Sequence, residues 1–334
     1  MKPDKIISVI SVAIIAMILI GEVVVYSSDY TDYSSNVSMD GSTLRYEISA
    51  EGSKIYDMVI SDNVDLNDSV YIYFDENYGS KVEDVRVAVG AKELTQEYYI
   101  SQLIAVLEYR HVSAEIVNAE QLGSIMNDPD SSLVCLSGAL PNTVYSGNID
   151  DPIFDWLDLG GRLYWAGNLL GAYIGIDNDV IDAPSNYQDL FFGTTCLNDR
   201  NVDDALEECA SNGYTSALSL VNNKVRYGVD STAILSKDSL PMGFIKDGYS
   251  SVTLVEFGNG MICVLGGDYS NNQRNDLAQI IASGLTPQST IIAQIEGTVT
   301  RGTITGETVV NGTALGAYVY LGGYYPVFAK NTVF

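Results

Sequence analysis

Thiol and imidazole groups are scarce in this sequence, and their scarcity limits the nucleophilic chemistry it could perform. The chain of 334 residues contains four cysteines and one histidine, His111. The cysteines have no C-x-x-C spacing, and together with one histidine they supply too few ligands for a zinc site. Cys135 and Cys263 lie in apolar runs, where we expect buried thiols. The sequence therefore predicts no metal site, and a structural or surface role for His111.

Motifs for phosphate binding and for serine nucleophiles are missing as well. The sequence has no G-x-x-x-x-G-K-[ST] loop, no G-x-G-x-x-G after the first predicted strand and no G-x-S-x-G elbow. We therefore predict no cofactor and assign no catalytic residue. Carboxylates are the remaining acid and base groups, and a pair of them across a cleft could hydrolyse a glycan. Asp150, Asp151, Asp155 and Asp158 are more simply interpreted as a solvated helix start, where the helix dipole favours negative charge.

The net charge of the chain limits the classes of partner that it can bind. The 43 acidic residues outnumber the 17 basic ones and give a formal charge of -26. Such a chain repels phosphate backbones, so nucleic acid is excluded as a partner class. The acids are spread along the chain, which is typical of a solvated, self-repelling surface.

An apolar segment near the N-terminus, residues 6–26, is long enough to cross the hydrocarbon layer of a membrane as a helix. Lys2 and Lys5 precede it, while Asp29 and Asp32 follow it, and this bias places the N-terminus in the cytoplasm. We therefore predict a single-pass plasma-membrane protein that contacts lipid through this helix and has the bulk of its chain outside the cytoplasm. A cleaved signal peptide is the alternative.

Export would permit two modifications. Three N-x-[ST] sequons begin at Asn36, Asn67 and Asn311, and they are candidate glycosylation sites. Cys196 and Cys209 flank a polar stretch whose ends a disulfide could join into a compact loop. Both predictions depend on the extracytoplasmic location.

The elements that must position any site change in character along the chain. Residues 43–48 alternate apolar and polar side chains and residues 70–74 are rich in β-formers, which together predict a small antiparallel β unit. From residue 85 onward, short apolar strands alternate with helical patterns, which is typical of a parallel sheet with helices on both faces. We predict residues 85–90, 132–137 and 162–166 as strands of that sheet.

The last part of the chain returns to β patterns. Residues 252–267 read as a hairpin around Gly258-Asn259-Gly260, and residues 275–285 read as a helix. We expect the C-terminal β segment to pack with the β unit before residue 80. The predicted fold class is α/β, a three-layer domain around a parallel sheet, with flanking small β segments and one transmembrane helix. The predicted domains are a cytoplasmic tip (1–5), a transmembrane anchor (6–26), a linker and small β unit (27–82), the α/β domain (83–286) and a C-terminal β segment (287–334).

Four stretches in the middle of the chain resemble a known family. VRVAVG, LVCLSGALP, DPIFDWLDLGGRLYWAGNLLG and VEFGNGMICVLGG resemble the class I glutamine amidotransferase-like domain over residues 83–286. Active members carry a nucleophilic Cys on a sharp turn after a strand, and a His partner. Here the corresponding turn reads GNLLG at residues 167–171, and residues 266–269 stand where the His is expected. The resemblance therefore implies a non-catalytic member of that family.

A ligand site of such a fold lies outside the carboxyl ends of the parallel strands, where the loops diverge. Trp165 could stack on a sugar ring there, with core packing as the alternative. The candidate ligand-binding residues are Ser137, Trp165, Asn168, Asp268 and Tyr269.

These observations favour a membrane-anchored, extracytoplasmic binding or scaffold protein over an enzyme, with glycans or other envelope proteins as its partners. Two alternatives stay open. One is an extracytoplasmic hydrolase that acts on glycans through carboxylate acid and base groups. The other is an accessory subunit of a membrane transport or secretion assembly.

Overall fold

The computed structural model describes most of the chain after residue 32, with short gaps. The described ranges are 33–66, 69–78, 87–89, 92–94, 96–136, 139–166, 169–199, 207–208, 213–220, 224–225, 227–244, 248–266, 271–310, 312–322 and 326–334.

The described elements are mainly strands. The helices are α1 (Gln96–Tyr109), α2 (Ala119–Ile125), α3 (Pro152–Leu159), α4 (Tyr187–Phe192), α5 (Gly213–Ala217) and α6 (Asn271–Ser283), with a 3-10 turn at Glu76–Tyr78. The strands are β1 (Tyr33–Asp40), β2 (Thr43–Ala50), β3 (Lys54–Ser61), β4 (Ser69–Tyr73), β5 (Val87–Val89), β6 (Lys92–Leu94), β7 (Ala114–Val117), β8 (Ser131–Cys135), β9 (Leu140–Pro141), β10 (Arg162–Ala166), β11 (Tyr173–Ile176), β12 (Asp179–Asp182), β13 (Leu197–Asp199), β14 (Glu207–Glu208), β15 (Lys224–Val225), β16 (Tyr227–Asp230), β17 (Ser239–Phe244), β18 (Tyr249–Phe257), β19 (Gly260–Leu265), β20 (Ile291–Val299), β21 (Gly302–Val309), β22 (Gly316–Gly322) and β23 (Pro326–Val333).

Strands from both ends of the described chain form a β-sandwich. One sheet has the order β1-β2-β21 and the other β20-β3-β22-β23, and all their pairings are antiparallel. Alternation along β2 and β3 points Leu44, Ile48, Met58 and Ile60 into the shared core, where all four are fully buried. These pairings confirm that the C-terminal β segment packs with the β unit before residue 80.

Two tyrosines of the sandwich lie across glycines of the neighbouring strands. Tyr56 of β3 pairs with Gly297 of β20, and Tyr46 of β2 pairs with Gly306 of β21. A Cβ atom built on either glycine would lie 2.3 Å from the nearest atom of the tyrosine opposite. The two rings are tilted against each other with centroids 6.3 Å apart. The absent side chains therefore make room for an aromatic pair that covers two edge strands.

Alanine at these two glycines should destabilise the sandwich to different extents. Tyr56 is buried whereas Tyr46 is half-buried, so only the Tyr46 ring can swing toward solvent. We expect Gly297→Ala to cost about 1–3 kcal/mol of unfolding free energy, and Gly306→Ala less. Gly52→Ala is the control, because its Cβ would meet nothing within 4 Å. Urea denaturation measures all three, and a Gly297→Ala variant as stable as Gly52→Ala would contradict the packing.

The remaining large element is a nine-stranded mixed sheet, which with the helices on it we call the large-sheet unit. Its order is β13-β16-β18-β19-β10-β8-β4-β7, and β17 also pairs with β18. Strands β7, β4, β8, β10 and β19 are parallel. Strands β18, β16, β13 and β17 join antiparallel.

The predicted fold class is wrong. Among the described residues, strand outnumbers helix at 47% against 21%, and none of the sheets they form is wholly parallel. Residues 85–90 were also predicted as a strand of the parallel sheet. This prediction is wrong, because β5 pairs antiparallel with β6 in a separate two-stranded sheet. Its place is taken by β4, predicted as part of the antiparallel β unit, which lies between β7 and β8. A parallel three-layer domain therefore does not describe this molecule.

The predicted transmembrane helix, and with it the plasma-membrane and cell-surface location, is corrected by the structure. Among the residues that the structure describes, no helix has the length and apolar character needed to cross a bilayer. Residues 6–26, from which that prediction was made, lie outside the described residues.

Candidate functional site

The structure describes one of the five predicted ligand-binding residues. Trp165 lies in β10 with a side chain that is 0% exposed, packed in the core beneath α3 and α4. Its ring therefore offers no surface on which a sugar could stack. The other four lie outside the described residues: Ser137, Asn168, Asp268 and Tyr269.

The predicted modification sites are described only in part. Asn36 is exposed in β1, while Asn67 and Asn311 lie outside the described residues. Cys196 is a buried free thiol, and its predicted disulfide partner, Cys209, also lies outside them. Burial raises the pKa of Cys196 to about 12, so its thiol stays protonated and unreactive at neutral pH.

The surroundings of the other two described cysteines and of the histidine indicate structural roles. Cys135 and Cys263 are fully buried, which confirms their predicted role as small core residues. His111 follows α1 with a φ of 61°. Burial and the nearby charge of Lys330 lower its pKa. No group of three or more His, Cys, Asp or Glu side chains that could hold a metal ion occurs within the described part of the chain.

A polar cleft of about 530 Å³ opens where β8, β10 and β19 begin. It lies at the amino ends of the parallel strands, on the opposite edge of the sheet from the predicted crevice. Segments distant in sequence form its walls, namely the chain before β4, the turns before β8 and β10, the β18–β19 hairpin and the loop after α6. The polar side chains lining it are Asp65, Asp130, Arg162, Glu256, Asn259, Thr286 and Gln288.

Two glycines position Arg162 at the base of the cleft. Gly160 ends α3 with a φ of 137°, and its N–H donates to the carbonyl of Leu157. Gly161 follows without a side chain, because its Cβ would lie 2.1 Å from the Trp156 ring. The chain therefore reverses sharply, and Arg162 becomes the first residue of β10.

Arg162 is held by Asp65. Its side chain is largely buried, its Nη1 donates to the backbone carbonyl of Asp65 at 2.8 Å, and its Nη2 forms an ion pair with the Asp65 carboxylate. One guanidinium therefore contacts both the backbone carbonyl and the carboxylate of Asp65. This contact ties the segment before β4 to the start of β10 and fixes one wall of the cleft.

Glu256 lines the cleft from the hairpin that joins β18 to β19. From the described residues its carboxylate oxygens accept only long contacts, 3.5 Å from Gln288 Nε2 and 3.4 Å from the Asp238 N–H. Its backbone is fixed more firmly, because its N–H donates to the Asp238 carbonyl at 2.9 Å. A well-placed backbone and a loosely bonded carboxylate leave Glu256 with capacity to accept hydrogen bonds from a ligand.

The arrangement suits recognition of hydroxyl groups. Carboxylates accept strong hydrogen bonds from hydroxyls, and amide side chains both donate and accept. Asp65 is engaged by Arg162, whereas Asp130 has no ion pair among the described residues. Asp130, Glu256 and the amides of Asn259 and Gln288 therefore form the part of the lining best able to bind a polar ligand.

No protein-family model and no curated protein sequence matches the chain at significance. The solved structures that match the chain do so with low TM-scores. The β-galactosidase from the haloarchaeon Halorubrum lacusprofundi matches at 13% identity and TM-score 0.40, over 67% of this chain and 31% of that one. The β-galactosidase from Bacillus circulans sp. alkalophilus gives 11% and 0.39, over 76% and 35%. The exo-β-1,4-mannosidase from Opitutaceae bacterium strain TAV5 gives 11% and 0.37, over 65% and 36%.

The chain spans about a third of the length of these three structures. At such scores the likeness carries no argument about activity. The predicted membership in the class I glutamine amidotransferase-like family is wrong, because the described sheets are mixed or antiparallel and no family model matches the chain. The resemblance depended on short strands and glycine turns. Those features recur wherever buried strands meet tight turns, so they do not specify one family.

Proposed function

We propose that this chain is a binding protein whose polar cleft takes a saccharide or a closely similar polyhydroxylated ligand. The observation that carries the proposal is the convergence of Asp130, Glu256, Asn259 and Gln288 on one cleft of about 530 Å³. A cavity of this size lies within the range of small-molecule sites. Its lining supplies the hydrogen-bond acceptors and donors that the hydroxyl groups of a polyol need.

The ion pair between Arg162 and Asp65 supports the same proposal. Arg162 and Asp65 neutralise each other at the base of the cleft, so the guanidinium serves chiefly to hold the wall. Leu66, Leu159 and Met261 add apolar contacts around the polar groups. A polar floor with some apolar lining matches a sugar, which presents hydroxyls at its edge and C–H groups on its faces.

Ligand binding tests the proposal. We expect at least one of a panel of neutral manno-, galacto- and gluco-oligosaccharides to bind, measured by saturation-transfer NMR and then by calorimetry. Glu256→Gln removes the charge that strengthens a hydroxyl hydrogen bond, and should raise Kd about tenfold. Glu108→Gln is the matched control, because Glu108 is exposed on α1. The proposal fails if no oligosaccharide binds, or if Glu256→Gln binds as tightly as Glu108→Gln.

Glycan hydrolysis is the second candidate function. It is favoured by the presence of Asp130 and Glu256 in one cleft, since glycosidases use two carboxyl groups, one on either side of the bond they break. Release of reducing ends from the saccharides that bind would distinguish the two functions. Product formation by the wild type that is lost in both Asp130→Asn and Glu256→Gln would establish hydrolysis, and binding without product would leave a binding protein.

A further inference from the structure

Asp57 is a buried carboxyl group in the middle of the sandwich sheet that faces the large-sheet unit. It lies in β3, directly opposite Glu296 of β20 and Tyr320 of β22. Side chains two apart on a strand share a face, so Asp57 points the same way as Val59. Val59 and Tyr320 belong to the core cluster that includes Leu103 of α1. Asp57 therefore lies on the face by which the sandwich docks on the large-sheet unit.

The carboxyl group is only partly satisfied there. Asp57 is 9% exposed, and its Oδ2 accepts from Gln294 Nε2 at 2.8 Å. The same amide donates to Glu296 Oε1 at 3.1 Å, so one amide is shared between two carboxyl groups. The buried Oδ1 of Asp57 has no hydrogen-bond partner in the described structure. An ionised Asp57 would therefore leave a buried charged oxygen unpaired.

Among the described residues, the strands on either side of Asp57 supply no compensating cation. From β20 come the negative charge of Glu296 and the neutral amide of Gln294. From β22 comes Tyr320, whose burial raises its own pKa and keeps it neutral. On the side of the large-sheet unit, Arg110 and Ser219 interact with Tyr320. The Arg110 guanidinium donates to Gln279 Oε1 and to the Val106 carbonyl, so these hydrogen bonds are directed away from Asp57.

The proton on Asp57 is therefore linked to folding at mildly acidic pH. Burial first, and then the charge of Glu296, raise the pKa of Asp57 from 3.8 to about 6, against the opposing hydrogen bond from Gln294. Between those two values the folded protein keeps the proton while the unfolded chain has released it. The stabilisation is thus complete below about pH 4 and is lost as pH rises through about 6.

We propose that Asp57 makes the docking of the sandwich on the large-sheet unit depend on pH, firm while its carboxyl is protonated and looser once it ionises. An ionised Asp57 is stabilised only when a water molecule reaches its unpaired Oδ1 atom and donates a hydrogen bond to it. Water reaches that atom when β3 and β22 separate from the helices that cover them, since the sandwich's own core lies on the other face of the sheet. The loosening is therefore local to the docked face.

Hydrogen exchange followed by mass spectrometry tests the proposal on the full chain. Protection factors, which remove the intrinsic effect of pH on exchange, are compared at pH 5.0 and 7.5. In the wild type we expect the amides of β3 and β22 to lose about tenfold or more in protection at pH 7.5, while those of β8 and β10 change little. Asp57→Asn should abolish that difference, and Glu108→Gln should keep it.

Glu296→Gln gives an independent test that does not depend on the Asn variant folding. Removing the Glu296 charge lowers the pKa of Asp57, so the pH midpoint of the loss of protection should move downward. An unchanged midpoint would overturn the proposal. A pH effect retained in Asp57→Asn, no pH effect in the wild type, or an equal loss in β8 and β10 would each overturn it as well.

Discussion

Replacement of Gly260 by alanine is expected to destabilise the protein by about 3 kcal/mol. Gly260 begins β19 where the hairpin meets the end of α3. A Cβ there would lie 2.1 Å from the carbonyl oxygen of Gly161 and 2.5 Å from that of Leu157. Both neighbours are backbone, so relief requires a shift of the helix end or of the strand. The same shift would distort the cleft, which Gly260 also lines.

Gly123→Ala provides the matched control for Gly260→Ala. Gly123 lies inside α2, and a Cβ there would meet nothing within 4 Å. Alanine in a helix should therefore stabilise by about 0.5–1 kcal/mol. Urea denaturation of the two variants should give changes of opposite sign. A Gly260→Ala variant within 1 kcal/mol of the wild type would show that the turn has more room than the structure allows.

Loss of the Trp156 side chain should be the second large effect, at about 3–5 kcal/mol for Trp156→Ala. The ring is fully buried beneath the large sheet and fills the space left by Gly161. Its Nε1 also donates to the Asp128 carbonyl at 2.9 Å and to Ser131 Oγ at 3.0 Å. Both packing and hydrogen bonding therefore depend on this residue.

Trp156→Phe separates the two contributions. Phenylalanine retains most of the buried ring and loses the donor, so we expect a cost of about 1–2 kcal/mol. The midpoint and slope of urea unfolding, followed by circular dichroism, measure both variants. If Trp156→Phe were as damaging as Trp156→Ala, the hydrogen bonds would dominate, and the assigned role of ring packing would be wrong.

Local elements could be predicted from the sequence where a short pattern determines them. Strand β10 has the bounds that its apolar run predicted, and α3 begins at Pro152, among the acidic residues that were interpreted as a helix start. The β18–β19 hairpin also turns at Gly258-Asn259 as predicted. In each case, propensity and tertiary packing favour the same conformation, so the pattern suffices.

Strand pairing could not be predicted in the same way. The apolar run of β4 indicates a buried strand, but nothing within it specifies β7 and β8 as its neighbours. Residues 85–90 looked equally suitable for that position. Partners are chosen by contacts between distant segments, and a buried run carries no information about them.

The cleft was missed for a related reason. The expected crevice followed a rule for the carboxyl ends of parallel strands, whereas Asp65, Arg162, Glu256 and Gln288 meet at the amino ends. They come from four separate parts of the chain and share no motif. The one local signal was Arg162, a charged residue placed directly before an apolar strand and after two glycines.

The split origin of the sandwich has a consequence for synthesis on the ribosome. Strands β1 to β3 emerge early, but the strands that complete their sheets begin only at Ile291. At typical elongation rates the nascent chain waits about ten seconds or more with Leu44, Ile48 and Met58 unprotected. Chaperone contact should therefore concentrate on the first strands during translation, and end once residues 291–333 are released.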